Sequence, residues 1–103
     1  MGIEQRKARR VPIVAQIEAQ SGGFPFIAVT ENISEGGLMV RTTRALEQGQ
    51  IVHLKFTLPD SSQREIRANG VVQHCTIGQS IGVKFEDMDP ADLAAIQSFV
   101  TAA

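Results

Sequence analysis

The chain has no tryptophan, no tyrosine, one cysteine and two histidines. Each shortage excludes something. Cys75 alone cannot close an internal disulfide, and Cys75 with His53 and His74 makes a poor zinc set, so no metal site is expected. The aromatic residues are all phenylalanine and fall mostly within apolar runs. A binder of single-stranded nucleic acid would need aromatic platforms on a basic face, so nucleic acid is not the expected partner. No apolar run approaches the roughly 20 residues of a membrane helix, and no membrane insertion is expected. The opening MGIEQRKARR has charge but no apolar stretch behind it, unlike a secretory signal, and the expected compartment is the cytoplasm. There is no nucleophile elbow, no phosphate-cradling P-loop and no HExxH helix. His74 and Cys75 are adjacent, but neighbours on a strand point to opposite faces. No catalytic residue and no enzymatic activity are expected.

What is present fits a single domain. The chain has 103 residues, 43% of them hydrophobic and 20% charged, near globular averages. The net charge of −1 hides a split. Residues 1–10 carry Arg6, Lys7, Arg9 and Arg10 against Glu4, a net of +3, and the remainder carries six basic and ten acidic groups, a net of −4. A basic tip on a mildly acidic body suggests an anionic partner for the tip. A solvated chain end is the plainer reading of the same charges.

Most of the chain reads as strands. Val11 to Ala19 alternates, with Val11, Ile13, Ala15, Ile17 and Ala19 on one face. Further extended runs cover Phe24–Ile33, Leu38–Thr43, Ile51–Leu58, Arg64–Thr76 and Ser80–Phe85. Turn residues separate them, as in Gln20–Gly23, Glu35–Gly37, Pro59–Ser62 and Ile77–Gln79. In the fifth run Ile66, Ala68, Gly70, Val72 and His74 share a face, and Gly70 at mid-strand predicts a bulge or bend. Then the period changes. Asp89 is an apt N-cap, Pro90 suits the first helical position, and Leu93, Ile96, Phe99 and Val100 recur at helical spacing. A helix is predicted from about Pro90 to Thr101, its apolar stripe closing one end of the sheet. Six short strands and one helix predict a mainly β fold, a six-stranded antiparallel barrel with a C-terminal α-helix. The expected organisation is a flexible basic arm over residues 1–10 and one barrel domain over 11–103.

Two clusters carry the binding chemistry. Arg6-Lys7-Ala8-Arg9-Arg10 precedes the first strand, and Asn32-Ile33-Ser34-Glu35-Gly36-Gly37 joins the second and third. Arginine offers a planar fork of donors for phosphate oxygens or for the O6 and N7 edge of guanine. Asn32 and Ser34 lie two apart, so an extended backbone aims an amide and a hydroxyl at one face. Gly36 and Gly37 permit positive φ and close approach to the backbone. Together the clusters could form a site for an anionic guanine nucleotide. Taken singly, the second is an ordinary polar turn, and the first is a solvated tail or a nonspecific nucleic-acid arm.

The pairing is more specific than either part. An Arg-x-x-x-Arg element (Arg6 to Arg10) runs into a Val-Pro strand start, and Asn-x-Ser-x-x-Gly (Asn32, Ser34, Gly37) follows one strand pair later. This resembles the PilZ domain family, bacterial receptor modules for cyclic di-GMP. The resemblance covers residues 6–100, and the stretches Gly70–Val72 and Ile81–Phe85 resemble the family's closing strands. It implies that Arg6 and Arg10 hold the ligand's phosphates and guanine Hoogsteen edges. Asn32 would read a guanine from its other side, Ser34 would add a hydrogen bond, and Gly37 with Gly36 would keep the turn open. Arg9 is a possible auxiliary cation. His74 is the visible departure, since family members often carry an aromatic residue near there, and an imidazole stacks with less area. The implied function is a non-enzymatic receptor, with no cofactor, whose arginine arm orders on the ligand and signals to a downstream protein. The family is associated with motility, pili, biofilm and exopolysaccharide. The alternatives are a small-barrel nucleic-acid-binding module and a PilZ-like adaptor that binds no nucleotide.

Overall fold

The computed structural model describes residues 9–102. Its elements are β1 (Val11–Pro12), β2 (Gln16–Ser21), β3 (Phe24–Ser34), β4 (Gly37–Arg41), β5 (Ile51–Thr57), β6 (Glu65–Thr76), β7 (Ser80–Met88) and α1 (Pro90–Ala102). All pairings are antiparallel. Strands β3, β2, β5, β6, β7 and β4 follow one another, and a β3–β4 pairing closes the ring. The predicted six-stranded barrel is the observed one, with β1 added against the end of β3.

Alternation fills the interior. Val52, Leu54 and Phe56 of β5 are buried while His53 and Thr57 are exposed, and Leu58 beyond the strand is fully buried. Ile17 and Ala19, Leu38 and Val40, Ile66 and Val72, and Ile81 and Val83 meet them in one core. The first predicted strand is interrupted. At residues 13–15 its alternation continues, but the ladder breaks around Thr30. The Thr30 hydroxyl accepts from the Ala15 amide at 2.9 Å and lies 3.0 Å from the Ala15 carbonyl and 3.3 Å from that of Ile13. A buried side chain thus stands in for ladder hydrogen bonds, and β1 and β2 leave β3 at different points. Strand β7 runs to Met88, past the expected end at Phe85, because Asp87 and Met88 pair with Asn69 and Ala68. Gly70 lies at a register shift, as predicted, and a Cβ there would run into the Val83 side chain.

Helix α1 starts where its caps predict. The Asp89 carboxylate accepts from the Ala91 amide at 2.8 Å. Ile96 and Val100 enter the core, and Leu93 and Phe99 are half-buried. Asp92 does more than complement the helix dipole. Its carboxylate is buried, accepts from Arg64 Nε at 2.8 Å, and lies 3.4 Å from the Arg67 backbone amide. These bonds pin the first turn of α1 to β6. No helix among the described residues is long and apolar enough to cross a membrane.

Candidate functional site

The site is built by a strand start, a hairpin turn and two bulges. Pairing of Pro12 with Asn32 sets the residue just before β1 beside β3. Arg10 therefore reaches Asn32, and its Nη1 donates to Asn32 Oδ1 at 3.0 Å. The β3–β4 turn is closed by Ser34, whose hydroxyl accepts from the Gly36 amide at 3.2 Å and sits 3.4 Å from the Gly37 carbonyl. The turn is fastened on two sides. Phe85 of β7 donates its amide to the Gly36 carbonyl at 2.9 Å. Gln97 of α1 donates to the Glu35 carboxylate at 3.1 Å.

The turn glycines do not use the positive φ they permit. Neither Gly36 nor Gly37 adopts a positive φ. Gly37 is required by close approach, because a Cβ there would collide with the Val83 backbone carbonyl of β7.

Bulges decide which side chains face outward. Inward alternation along β3 runs through Ala28 and Thr30 and would next bury residue 32. A register shift between Thr30 and Asn32 changes the phase, so Ile33 is fully buried and Asn32 stays at the surface. A second shift, between Val72 and His74 in β6, does the same there. Strict alternation put His74 on one face with Ile66 and Val72; those two are buried, whereas His74 is exposed, opposite Gly82 of β7. Gly82 has no side chain, and the imidazole occupies the place where a Cβ would lie.

These pieces surround one open groove of about 530 Å³, lined by Arg10, Ser34, Gly36, Gly37, His74 and Lys84, among others. Asn32 stands at its rim through its bond to Arg10. Of the residues expected to bind, the structure brings together Arg10, Asn32, Ser34 and Gly37, and it adds Gly36 and His74. Arg9 is exposed just before them. Arg6 lies outside the described residues. Lys84, Gln73 and Gly82 also line the groove and were not singled out in the sequence. The pairing of Lys84 with Gly37 carries that signal, and it becomes visible only once β4 and β7 are in register.

The groove is cationic and polar. Arg10 bonds a neutral amide, so its charge is not cancelled, and Lys84 pairs with no carboxylate among the described residues. The guanidinium has five N–H donors and spends one on Asn32, and the Asn32 oxygen keeps a second lone pair. The arrangement can accept an anion and hydrogen-bond a planar polar edge together. Among the described residues, no three His, Cys, Asp or Glu side chains gather where a metal ion could be held.

A closed six-stranded antiparallel barrel with a C-terminal helix and an arginine at the strand that enters it defines the architecture. The family model of the PilZ domain matches residues 4–102, and the chain belongs to the PilZ domain family. Solved structures share the fold at low identity. The inhibitor of motility MotI/DgrA of Bacillus subtilis is 19% identical with a TM-score of 0.88; the match covers 97% of this chain and 51% of that one, so the chain spans about half the length of that protein. The PilZ domain of CeSA from a cellulose-synthesizing bacterium is 17% identical with a TM-score of 0.71, covering 91% of this chain and 96% of that one. The PilZ domain of Escherichia coli YcgR, solved with c-di-GMP, is 9% identical with a TM-score of 0.76, covering 96% and 91%. No curated protein sequence matches the chain.

Proposed function

We propose that this chain is a non-enzymatic receptor for cyclic di-GMP, acting in the cytoplasm. The observation that carries this reading is the Arg10–Asn32 hydrogen bond at the rim of the groove that Ser34 and Gly37 line. Ser34 and Gly37 also serve the β3–β4 turn, but barrel folding does not require the Arg10–Asn32 pair beside them. Arg10 and Arg6 grip phosphates and guanine O6 and N7, since a fork of N–H donors fits both. Asn32 and Ser34 add an amide and a hydroxyl for a base edge. The bond between Arg10 and Asn32 aligns two of these groups beforehand, which lowers the ordering cost of binding.

Binding is read out by the basic segment that precedes β1. Wrapping the ligand orders that segment, and the new surface is offered to a downstream protein. The ordering entropy reduces net affinity, and charge-assisted hydrogen bonds offset it. The names of two similar proteins, a motility inhibitor and a domain from a cellulose-synthesizing bacterium, make motility and biofilm matrix the processes to test first.

Calorimetric titration with cyclic di-GMP tests the proposal. The expected result is saturable heat at micromolar protein, with amide chemical-shift changes at residues 32–37. A flat titration and an unchanged spectrum from well-folded protein would overturn it and leave the adaptor reading.

A further inference from the structure

Two rows of residues cross the outside of the barrel at the groove. In one, Asn32 of β3 pairs with Met39 of β4, Met39 with Gly82 of β7, and Gly82 with His74 of β6. In the next, Ser34 pairs with Gly37, Gly37 with Lys84, and Lys84 with Val71. The β3 end of these rows holds Asn32, Ser34 and, through its hydrogen bond, Arg10. The far end holds His74 and Lys84. Gly37, between Ser34 and Lys84, has no side chain to separate them. Lys84 is exposed and pairs with no carboxylate among the described residues. The nearby Glu35 carboxylate is hydrogen-bonded to Gln97 and does not line the groove. The groove therefore carries a cation at each side, Arg10 just before β1 and Lys84 on β7, three interstrand steps or roughly 14 Å apart at the backbone.

We infer that Lys84 is a ligand-contacting cation that selects a cyclic dinucleotide over a mononucleotide. The inference rests on the groove being the nucleotide site and names what the second cation does there. A cyclic dinucleotide carries two phosphodiesters on opposite sides of one macrocycle, so Arg10 and Lys84 can each meet one. A mononucleotide has its phosphate at a single end and satisfies one cation at a time. An ammonium on a flexible stem suits this task, since it meets a phosphate as a point charge without demanding a planar fit.

The test is calorimetry of the parent, Lys84→Ala, Lys84→Arg and Lys55→Ala with cyclic di-GMP and with GMP, between about 50 and 200 mM salt. Lys55 lies on β5, away from the groove, and controls for net charge. Lys84→Ala is expected to weaken cyclic di-GMP binding about tenfold, the loss of one charge-assisted contact, and to flatten its salt dependence. GMP binding should change much less, Lys84→Arg should recover most of the affinity, and Lys55→Ala should match the parent. A parent that binds with Lys84→Ala unchanged overturns this role and leaves the receptor function standing. An equal loss for GMP overturns the selectivity. A parent that binds neither ligand overturns the inference together with the receptor function.

Discussion

Two grooves on this barrel have nearly the same size and opposite electrostatic character. One, of about 520 Å³, is lined by parts of β2, β5, β6 and the end of β7. The other, of about 530 Å³, is the groove of Arg10, Ser34 and Lys84. In the first, each cation has an acidic partner. Lys55 lies 3.5 Å from Glu18, and Arg67 lies 2.8 Å from Glu65. His53 Nδ1 and Asn69 Oδ1 are 2.6 Å apart, and Asp89 is occupied capping α1. Asp87 adds a negative charge there. In the second, among the described residues Arg10 bonds only an amide and Lys84 pairs with no carboxylate. Volume does not distinguish the two grooves. What distinguishes them is whether the charges answer one another or wait for a partner, because exposed pairs that are already satisfied gain little from a ligand.

The sharpest way to break this contrast is to remove its strongest donor. Arg10→Ala should lose roughly 2–4 kcal/mol of cyclic di-GMP binding with the thermal midpoint nearly unchanged, by calorimetry and a melting curve. Arg6→Ala is expected to behave likewise. If both variants bind like the parent, the unanswered charge is not a binding feature. Gly37→Ala attacks the scaffold instead. The added Cβ meets the Val83 carbonyl, so stability should fall by about 1–3 kcal/mol, measured by urea unfolding, and binding should weaken with it. An unchanged unfolding midpoint would show that β4 and β7 can separate freely. Asn32→Ala should weaken binding by about 1–2 kcal/mol, less than the arginine, because it removes a neutral partner. The smallest effect belongs to the other groove. Arg67→Ala should shift stability by no more than about 0.5 kcal/mol and leave the affinity for cyclic di-GMP as in the parent. A marked loss of binding would place the ligand, or part of it, in the paired groove.

The legible parts of the molecule were those governed by simple periods. Val52, Leu54, Phe56 and Leu58 announced an inner face, and Asp89-Pro90 followed by Leu93, Ile96 and Val100 announced a capped helix. The family resemblance carried by Arg6, Arg10, Asn32, Ser34 and Gly37 pointed to a candidate site, and the structure brings the last four of these together. Less legible was how the site comes to face outward. A bulge is one extra residue, and nothing in the local composition around Glu31 or Gln73 distinguishes it from continued alternation. Alternation for that reason put His74 on one face with Ile66 and Val72, a grouping the bulge breaks. Lys84 was not singled out because its place in the groove depends on its pairing with Gly37, a residue distant in the chain, and cross-strand register is a property of the folded barrel. The break between β1 and β2 likewise depends on the buried Thr30 hydroxyl, whose partners are set by tertiary structure.

Closure of the ring restricts how the state of the groove can be passed on. Each of the six barrel strands has a neighbour on both sides, and the short β1 carries Pro12, which has no N–H to offer. A protein that recognises others by adding a strand finds only short open stretches here, such as the part of β3 before Val29, which pairs with β2 and not with β4. Side chains at the rim are therefore the larger surface open to a partner, and among them Arg10, at the entry to β1, is held in place by Asn32.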